Sequence, residues 1–143
     1  MASPLDFTKI VSLDTLNKMA SNTLAENLGI VFTEIGDDWM KAKMPVDNRT
    51  RQPYGLLHGG ASVAFAETMG SIAAHCSIDS TKYYCVGLEI NANHLKGVRD
   101  GLVYGIAKPI HRGRSTQVWE IKIINEQQEL VCISRITIAV LSK

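Results

Sequence analysis

The sequence predicts an α+β fold, with a curved antiparallel sheet of about six strands wrapped around one long central helix. Three observations carry this. The stretch ASVAFAETMGSIAAHCSI, residues 61–78, is small and apolar all the way round apart from one acid, and a helix without a polar face is covered on all sides. Six segments read as strands, two before that stretch and four after it. The connections between them are short, so neighbours are expected to pair antiparallel. At 143 residues the chain has the length of one domain, since a domain takes roughly 100–200 residues. Residues 1–143 are therefore expected to form a single unit, with a helical N-terminal segment over 1–24.

In that segment, residues 12–24 have helical spacing. Leu13, Leu16, Met19 and Ala20 share one side, and Ser12 or Asp14 is placed to cap the first turn. Residues 28–46 read as two strands turning at Gly36-Asp37-Asp38. Residues 47–57, with Arg49, Arg51, Gln52, Pro53 and Gly55, form a polar loop of a length that is often functional. The central helix is expected over 58–78. In 84–95, Val86, Leu88, Ile90 and Ala92 alternate with Gly87, Glu89, Asn91 and Asn93. Three further strands, 102–110, 115–124 and 130–141, are separated by turns at residues 98–101, 111–113 and 126–128. Trp39 and Trp119 are read as packing residues.

Composition narrows the function. Fifteen Lys and Arg against fourteen Asp and Glu leave a formal charge of +1. Such a chain has no global field to attract nucleic acid or an anionic membrane. A charge near zero favours self-association. Hydrophobic residues at 45% and charged residues at 20% describe a folded chain. The three cysteines, Cys76, Cys85 and Cys132, are odd in number and lack C-x-x-C spacing. That argues against a disulfide framework or a zinc site and suits a reducing, cytoplasmic compartment. No signal sequence opens the chain, and no apolar run reaches the ~18 residues of a membrane span. No metal and no cofactor are expected.

The chemistry concentrates on the helix. Glu67 is its only acid. Burying an unpaired carboxylate is costly, so a buried Glu67 is paired, protonated or employed. Ser71, four residues on, lies on the same face. Gly70 is unfavourable in mid-helix and points to a close approach. At the helix start, His58-Gly59-Gly60 follows no Ser, Thr, Asp or Asn that could cap it. Free N–H groups at the positive end of a helix, under a residue without a side chain, suit an anion or an oxyanion. Gly59 and Glu67 are about 12 Å apart along the axis. One chain thus has difficulty bringing both to a single carbonyl, whereas two antiparallel copies of the helix could do so across a dimer interface.

Taken together, Gln52, Gly55-Leu56-Leu57-His58-Gly59-Gly60, Glu67 and Ser71 resemble the hotdog-fold acyl-CoA thioesterases. The closer likeness is to the Glu-type 4-hydroxybenzoyl-CoA thioesterase subfamily. Gly87-Leu88-Glu89-Ile90-Asn91-Ala92-Asn93-His94 and Lys108-Pro109-Ile110-His111-Arg112-Gly113 are similar to its bacterial branch. That branch holds the 1,4-dihydroxy-2-naphthoyl-CoA and the enterobactin proofreading thioesterases. The resemblance spans about residues 24–141. It implies hydrolysis of a small, aromatic acyl-CoA of hydroxybenzoyl or dihydroxynaphthoyl type to free acid and CoA. It also implies a homodimer with a continuous sheet and shared sites, paired into a homotetramer. Glu67 would be nucleophile or general base, and the Gly59 N–H would polarise the carbonyl. His58 would support the loop or the carbonyl, Gln52 would orient water or substrate, and Ser71 would position the hydrolytic water.

The CoA phosphates need cationic or backbone donors. Those are offered by His111, Arg112, Gly113, Arg114 and Ser115 at one hairpin tip, with Lys108 nearby in sequence, and by His94, Lys96 and Arg99 at another turn. Two rival readings remain. A hydratase or dehydratase would place a His directly at the acyl chain. A non-catalytic acyl-CoA sensor would lack the carboxylate and carry a DNA-binding segment.

Overall fold

The computed structural model describes residues 4–143; the first three residues of the expected N-terminal segment lie outside them. Three short helices come first. In α1 (Phe7–Ile10), Asp6 caps the start and Phe7 is fully buried, stacked on Trp119 with ring centroids 6.1 Å apart. In α2 (Leu13–Ala20), the cap is Ser12, whose Oγ accepts from the Thr15 N–H at 3.1 Å. The helix expected to reach residue 24 stops at Ala20. Asn22 takes a left-handed φ of 58°, and Thr23 caps a separate turn, α3 (Leu24–Asn27). Leu16 and Ala20 are buried, whereas Met19 is exposed.

The sheet is formed by β1 (Val31–Ile35), β2 (Met40–Pro45), β3 (Tyr83–His94), β4 (Leu102–Arg112), β5 (Thr116–Ile124) and β6 (Leu130–Ser142). Its order is β1-β2-β4-β5-β6-β3, with every pairing antiparallel. This is the hotdog arrangement implied by the sequence, with one correction. β3 and β4 are joined by a short link yet are not neighbours; β3 pairs with β6 and β4 with β2. The long helix α4 (Gly59–Cys76) carries the chain from β2 to the far edge, and the link returns past the helix start, where the Leu57 N–H donates to the Val98 carbonyl at 2.7 Å.

The two edges of the sheet are unlike. Asn17 of α2 covers β1: its Oδ1 accepts from the Phe32 N–H at 2.9 Å, and its Nδ2 donates to the Phe32 carbonyl at 3.1 Å. Among the described residues β3 has no such cover. It is twelve residues long, and Tyr83, Tyr84, Val86 and Leu88 on it are exposed.

The regular alternation read into β3 also needs correction. Its register against β6 slips between Gly87 and Glu89, so Leu88 is an extra residue. A bulge shifts every side chain beyond it to the other face. Ile90 and Ala92 pack on the core as expected, but before the bulge the residue packed there is Cys85 and not Val86.

α4 lies on the concave face. Phe65, Ala66, Met69, Gly70, Ala73 and Ala74 are buried under it, against Met40, Met44, Val103, Trp119, Ile121, Ile136 and others. Fully burying a Phe or Met stabilises by about 1.5–3 kcal/mol. Gly70 is required by a side chain and not by a second backbone: a Cβ there would stand 2.5 Å from Ile136 Cγ2. The helix is not covered on all sides, contrary to expectation. The sheet wraps one side only; Glu67 is exposed, and Val63, Ala64, Thr68, Ser71 and His75 are half-buried. Among the described residues no helix is long and apolar enough to cross a membrane. Burial pushes the thiols of Cys85 and Cys132 up and that of Cys76 to about 11, which is the behaviour of unreactive core thiols.

Candidate active site

The loop before α4 is tied at several points. Buried Thr50 donates through Oγ1 to the Pro45 carbonyl at 2.8 Å, and its own carbonyl accepts from the His58 N–H at 2.7 Å. The Gln52 N–H donates to the Leu56 carbonyl at 2.8 Å, and the Gly55 N–H to the Gln52 carbonyl at 2.9 Å, with Gly55 at φ 80°. The chain therefore enters the helix along a fixed path.

The helix start is capped after all. His58 is the cap residue, and its Nδ1 accepts from the Gly60 N–H at 2.7 Å. An imidazole that accepts at Nδ1 carries its proton on Nε2. The N–H groups of Ala61 and Ser62 donate to the His58 carbonyl at 3.0 and 3.1 Å. Among the described residues, that leaves the Gly59 N–H as the donor without a protein acceptor in this first turn. The positive end of the dipole and one unpaired N–H coincide there, the combination that holds an oxyanion.

Gly59 opens onto a cavity of about 350 Å³ whose lining includes Gln52, Leu56, Leu57, His94 and Lys96. A Cβ at Gly59 would lie 3.0 Å from His94 Nε2, so His94 stands directly against the helix start. Gln52, Gly59 and His94 are thus brought together, with His58 behind them. Gln52 presently accepts through Oε1 from the Tyr54 N–H. Buried Ser62 also lines this cavity. Sequence reasoning missed it, although a lone small polar residue one turn after the glycines is a readable signal.

Glu67 does not join this group. It lines a separate, smaller recess of about 160 Å³ with Gly87, Leu88, Glu89, Ile90 and Ile136. Its Oε1 stands 3.6 Å from the position a Cβ would take on Gly87. Its exposure corrects the expectation of a buried carboxylate, because the sheet covers the opposite side of α4 and leaves this one open. Ser71, half-buried, follows one turn later.

The expected CoA residues fall into two groups. Arg99 sits outside the loop, its Nη1 donating to the Tyr54 carbonyl at 3.4 Å and its carbonyl accepting from Arg51 Nε at 2.9 Å. It lines a polar cavity of about 240 Å³ next to the first and shares that lining with Lys96 and Gly97. The hairpin residues lie at the other end of α4, some 27 Å away by helix length. There Arg112, Gly113 and Arg114 line a cavity of about 290 Å³ with Ser77, Asp79 and Tyr83. Arg112 Nη2 donates to the Ser77 carbonyl at 3.2 Å, and burial pulls the guanidinium below its ordinary value. His111 folds over Gly113, where a Cβ would stand 2.6 Å from His111 Nε2. Ser115 accepts through its carbonyl from the Val140 N–H at 2.9 Å. Among the described residues no three His, Cys, Asp or Glu side chains stand together as a metal site would require.

The model of the thioesterase superfamily matches residues 54–132. The 1,4-dihydroxy-2-naphthoyl-CoA hydrolase of Escherichia coli is 49% identical over 92% of this chain and 96% of that protein. The proofreading thioesterase EntH of Cronobacter sakazakii is 48% identical over 92% and 95%. Among solved structures, a mutant thioesterase from Pseudomonas aeruginosa superposes with a TM-score of 0.91 at 47% identity, covering 93% of this chain and 96% of that one.

Proposed function

Because this chain belongs to the thioesterase superfamily, whose enzymes hydrolyse thioester bonds, we propose that it cleaves a small aromatic acyl-CoA to the free acid and CoA. The observation that carries the reading is the unpaired Gly59 N–H at the start of α4, facing a cavity that also holds Gln52 and His94. The thioester carbonyl accepts from this N–H. Glu67 either attacks the carbonyl carbon to form a mixed anhydride that water then hydrolyses to the free acid, or takes a proton from a water that attacks directly; in both the C–S bond breaks and the thiolate leaves, taking up a proton that the water gives up. Gln52 and Ser71 orient substrate and water, and His58 holds the loop in place through its bond to Gly60. An aroyl group suits a cavity of about 350 Å³ walled by Leu56 and Leu57, and one relative is named for an aroyl-CoA.

The separation of Gly59 from Glu67 supports a homodimer in which each site draws on both chains. In two antiparallel copies of α4, bringing Glu67 of one copy to Gly59 of the other sets the two-fold axis near Val63, midway between them. α4 runs alongside β3, with Gly59 at His94 and Glu67 at Gly87 to Ile90, so the axis also crosses the open edge near Asn91. Ser77, beside Arg112, lies about 21 Å beyond Val63 along the helix, and Gly59 about 6 Å before it. The hairpin with Arg112 and Arg114 in one protomer then falls roughly 15 Å past the carbonyl held by its partner. That offset suits the pantetheine arm and supports a role for the hairpin in holding the CoA phosphates. The single domain acts in the cytoplasm, with dimers paired into a tetramer and no metal in the reaction.

The test is CoA release across a panel of aromatic and fatty acyl-CoA esters, before and after exhaustive chelation. The expected result is highest kcat/KM on aroyl esters, unaffected by chelation. No hydrolysis of any ester overturns the reading, and loss of activity restored only by metal overturns the metal-free part.

A further inference from the structure

We propose that Lys96 selects for an anionic group on the ligand, its ammonium being held ready by Glu129 and handed over when that group enters the Gly59 cavity. The inference rests on the thioesterase reading and adds to it a residue that discriminates between substrates. Lys96 directly follows the last turn of backbone beyond β3, where the N–H groups of Leu95 and Lys96 both donate to the Val131 carbonyl, at 2.8 and 3.3 Å. That fixes its backbone in the cavity wall. Among the described residues it is the only Lys or Arg in the lining of this cavity, and it also lines the polar cavity beside it, so its stem lies along the ridge between the two.

On the polar side its Nζ stands 2.8 Å from Glu129 Oε2. Glu129 is firmly placed. Its Oε1 accepts from Asn125 Nδ2 at 3.1 Å, and Asn125, only 6% exposed, also accepts through Oδ1 from the N–H groups of Gln127 and Glu129 at 3.0 and 2.9 Å. The carboxylate is therefore anchored to the β5–β6 turn. Lys96 is held only at its tip, with both side chains about half exposed. Ion pairs this exposed are weakly held, and a lysine turns about a flexible stem with three donors.

The neighbouring cations are committed elsewhere. Arg51 donates to the Arg99 and Val46 carbonyls, Arg99 to the Tyr54 carbonyl, and Arg49 to both oxygens of Asp47. Lys96 is the one whose present partner is a carboxylate within reach of the cavity, so it can exchange one anion for another without ever being left unpaired. The anion is an oxygen of a carboxylate or phenolate on the acyl group, since the group that fills the Gly59 cavity is the acyl group and the CoA phosphates fall to the hairpin at the other end of α4.

The experiment measures KM and kcat of wild type, Lys96→Met and Glu129→Gln on four esters: benzoyl and 4-carboxybenzoyl, each on CoA and on N-acetylcysteamine. On esters bearing the recognised anion, Lys96→Met is expected to raise KM about tenfold, the size of one charge-assisted contact. Glu129→Gln, which removes the competing carboxylate, is expected to lower it about threefold on the same rough scale. Both effects should fall mainly on KM. Changes on both carboxylated esters alone bear the proposal out, and changes on both CoA esters alone would move the anion to the phosphates and overturn it.

Equal changes on all four esters, or a rise of KM in Glu129→Gln as in Lys96→Met, would mean that the pair is only structural and would overturn the proposal. Calorimetric binding of free CoA and of terephthalate to the same proteins gives an independent readout. If wild type hydrolyses nothing, the thioesterase reading fails, and the proposal stands or falls on whether Lys96→Met weakens the binding of terephthalate.

Discussion

His58 and Gly59 divide the helix start between them: the imidazole satisfies one N–H, and the N–H of the glycine has no acceptor among the described residues. The cap could not be read from the sequence because histidine is outside the Ser, Thr, Asp and Asn set that usually caps helices. Gly59 was legible as an open position, yet the reason it must be glycine, His94 Nε2 within 3.0 Å of a Cβ, depends on a residue 35 positions later. Gly59→Ala should displace His94 and cut kcat/KM by about 10- to 100-fold, the scale of one lost oxyanion contact or less. Its melting temperature should shift little, which circular dichroism can check. Glu67 was singled out as the only acid in an apolar helix, but its exposure in one chain shows that the helix is covered less completely than composition suggests. Glu67→Gln should lower kcat at least ~10²-fold, as loss of a general base or nucleophile does. Folding should survive, since an exposed carboxylate with no salt-bridge partner among the described residues contributes little.

At the scale of elements, α4 and the strands were legible because length and periodicity are local properties. The bulge at Leu88 was not, because an inserted residue leaves the alternating pattern intact and changes only which face it serves. The strand order was also hidden: short links imply adjacency, and here the β3–β4 link crosses the helix start instead. The contact of α4 with β6 gives a sharp test. Gly70→Ala gains helix propensity, worth about 1 kcal/mol. It also forces a methyl to within 2.5 Å of Ile136 Cγ2, and such overpacking costs about 1–3 kcal/mol. A net loss of stability is therefore expected in urea unfolding; a net gain would mean that Ile136 moves aside freely.

For the whole molecule, the two groups of expected CoA residues sit at opposite ends of one helix, an arrangement no linear reading could reveal. The proposed dimer brings the ends of two different chains together, and mixing inactive variants tests it. Gln52→Ala and Glu67→Gln lie on opposite halves of a shared site. Co-refolding them should restore up to ~25% of wild-type activity, since half the dimers are mixed and each has one intact site of two. Glu67→Gln mixed with Arg114→Ala should show no such recovery, because both residues come from the same chain in each site. Recovery in the second mixture, or none in the first despite proven exchange of subunits, would show the halves to be wrongly assigned.

The unlike edges of the sheet bear on how far such association can go. A strand edge is a reactive end, and a monomer with two of them polymerises. Here Asn17 occupies the backbone of Phe32 at one edge, so each copy has a single reactive end. In the proposed dimer, growth along the sheet then stops at two copies by stoichiometry alone, as a chain reaction stops among monofunctional units. Removing the amide with Asn17→Ala would make the unit bifunctional, and light scattering should then detect open-ended filaments where the parent protein forms closed particles.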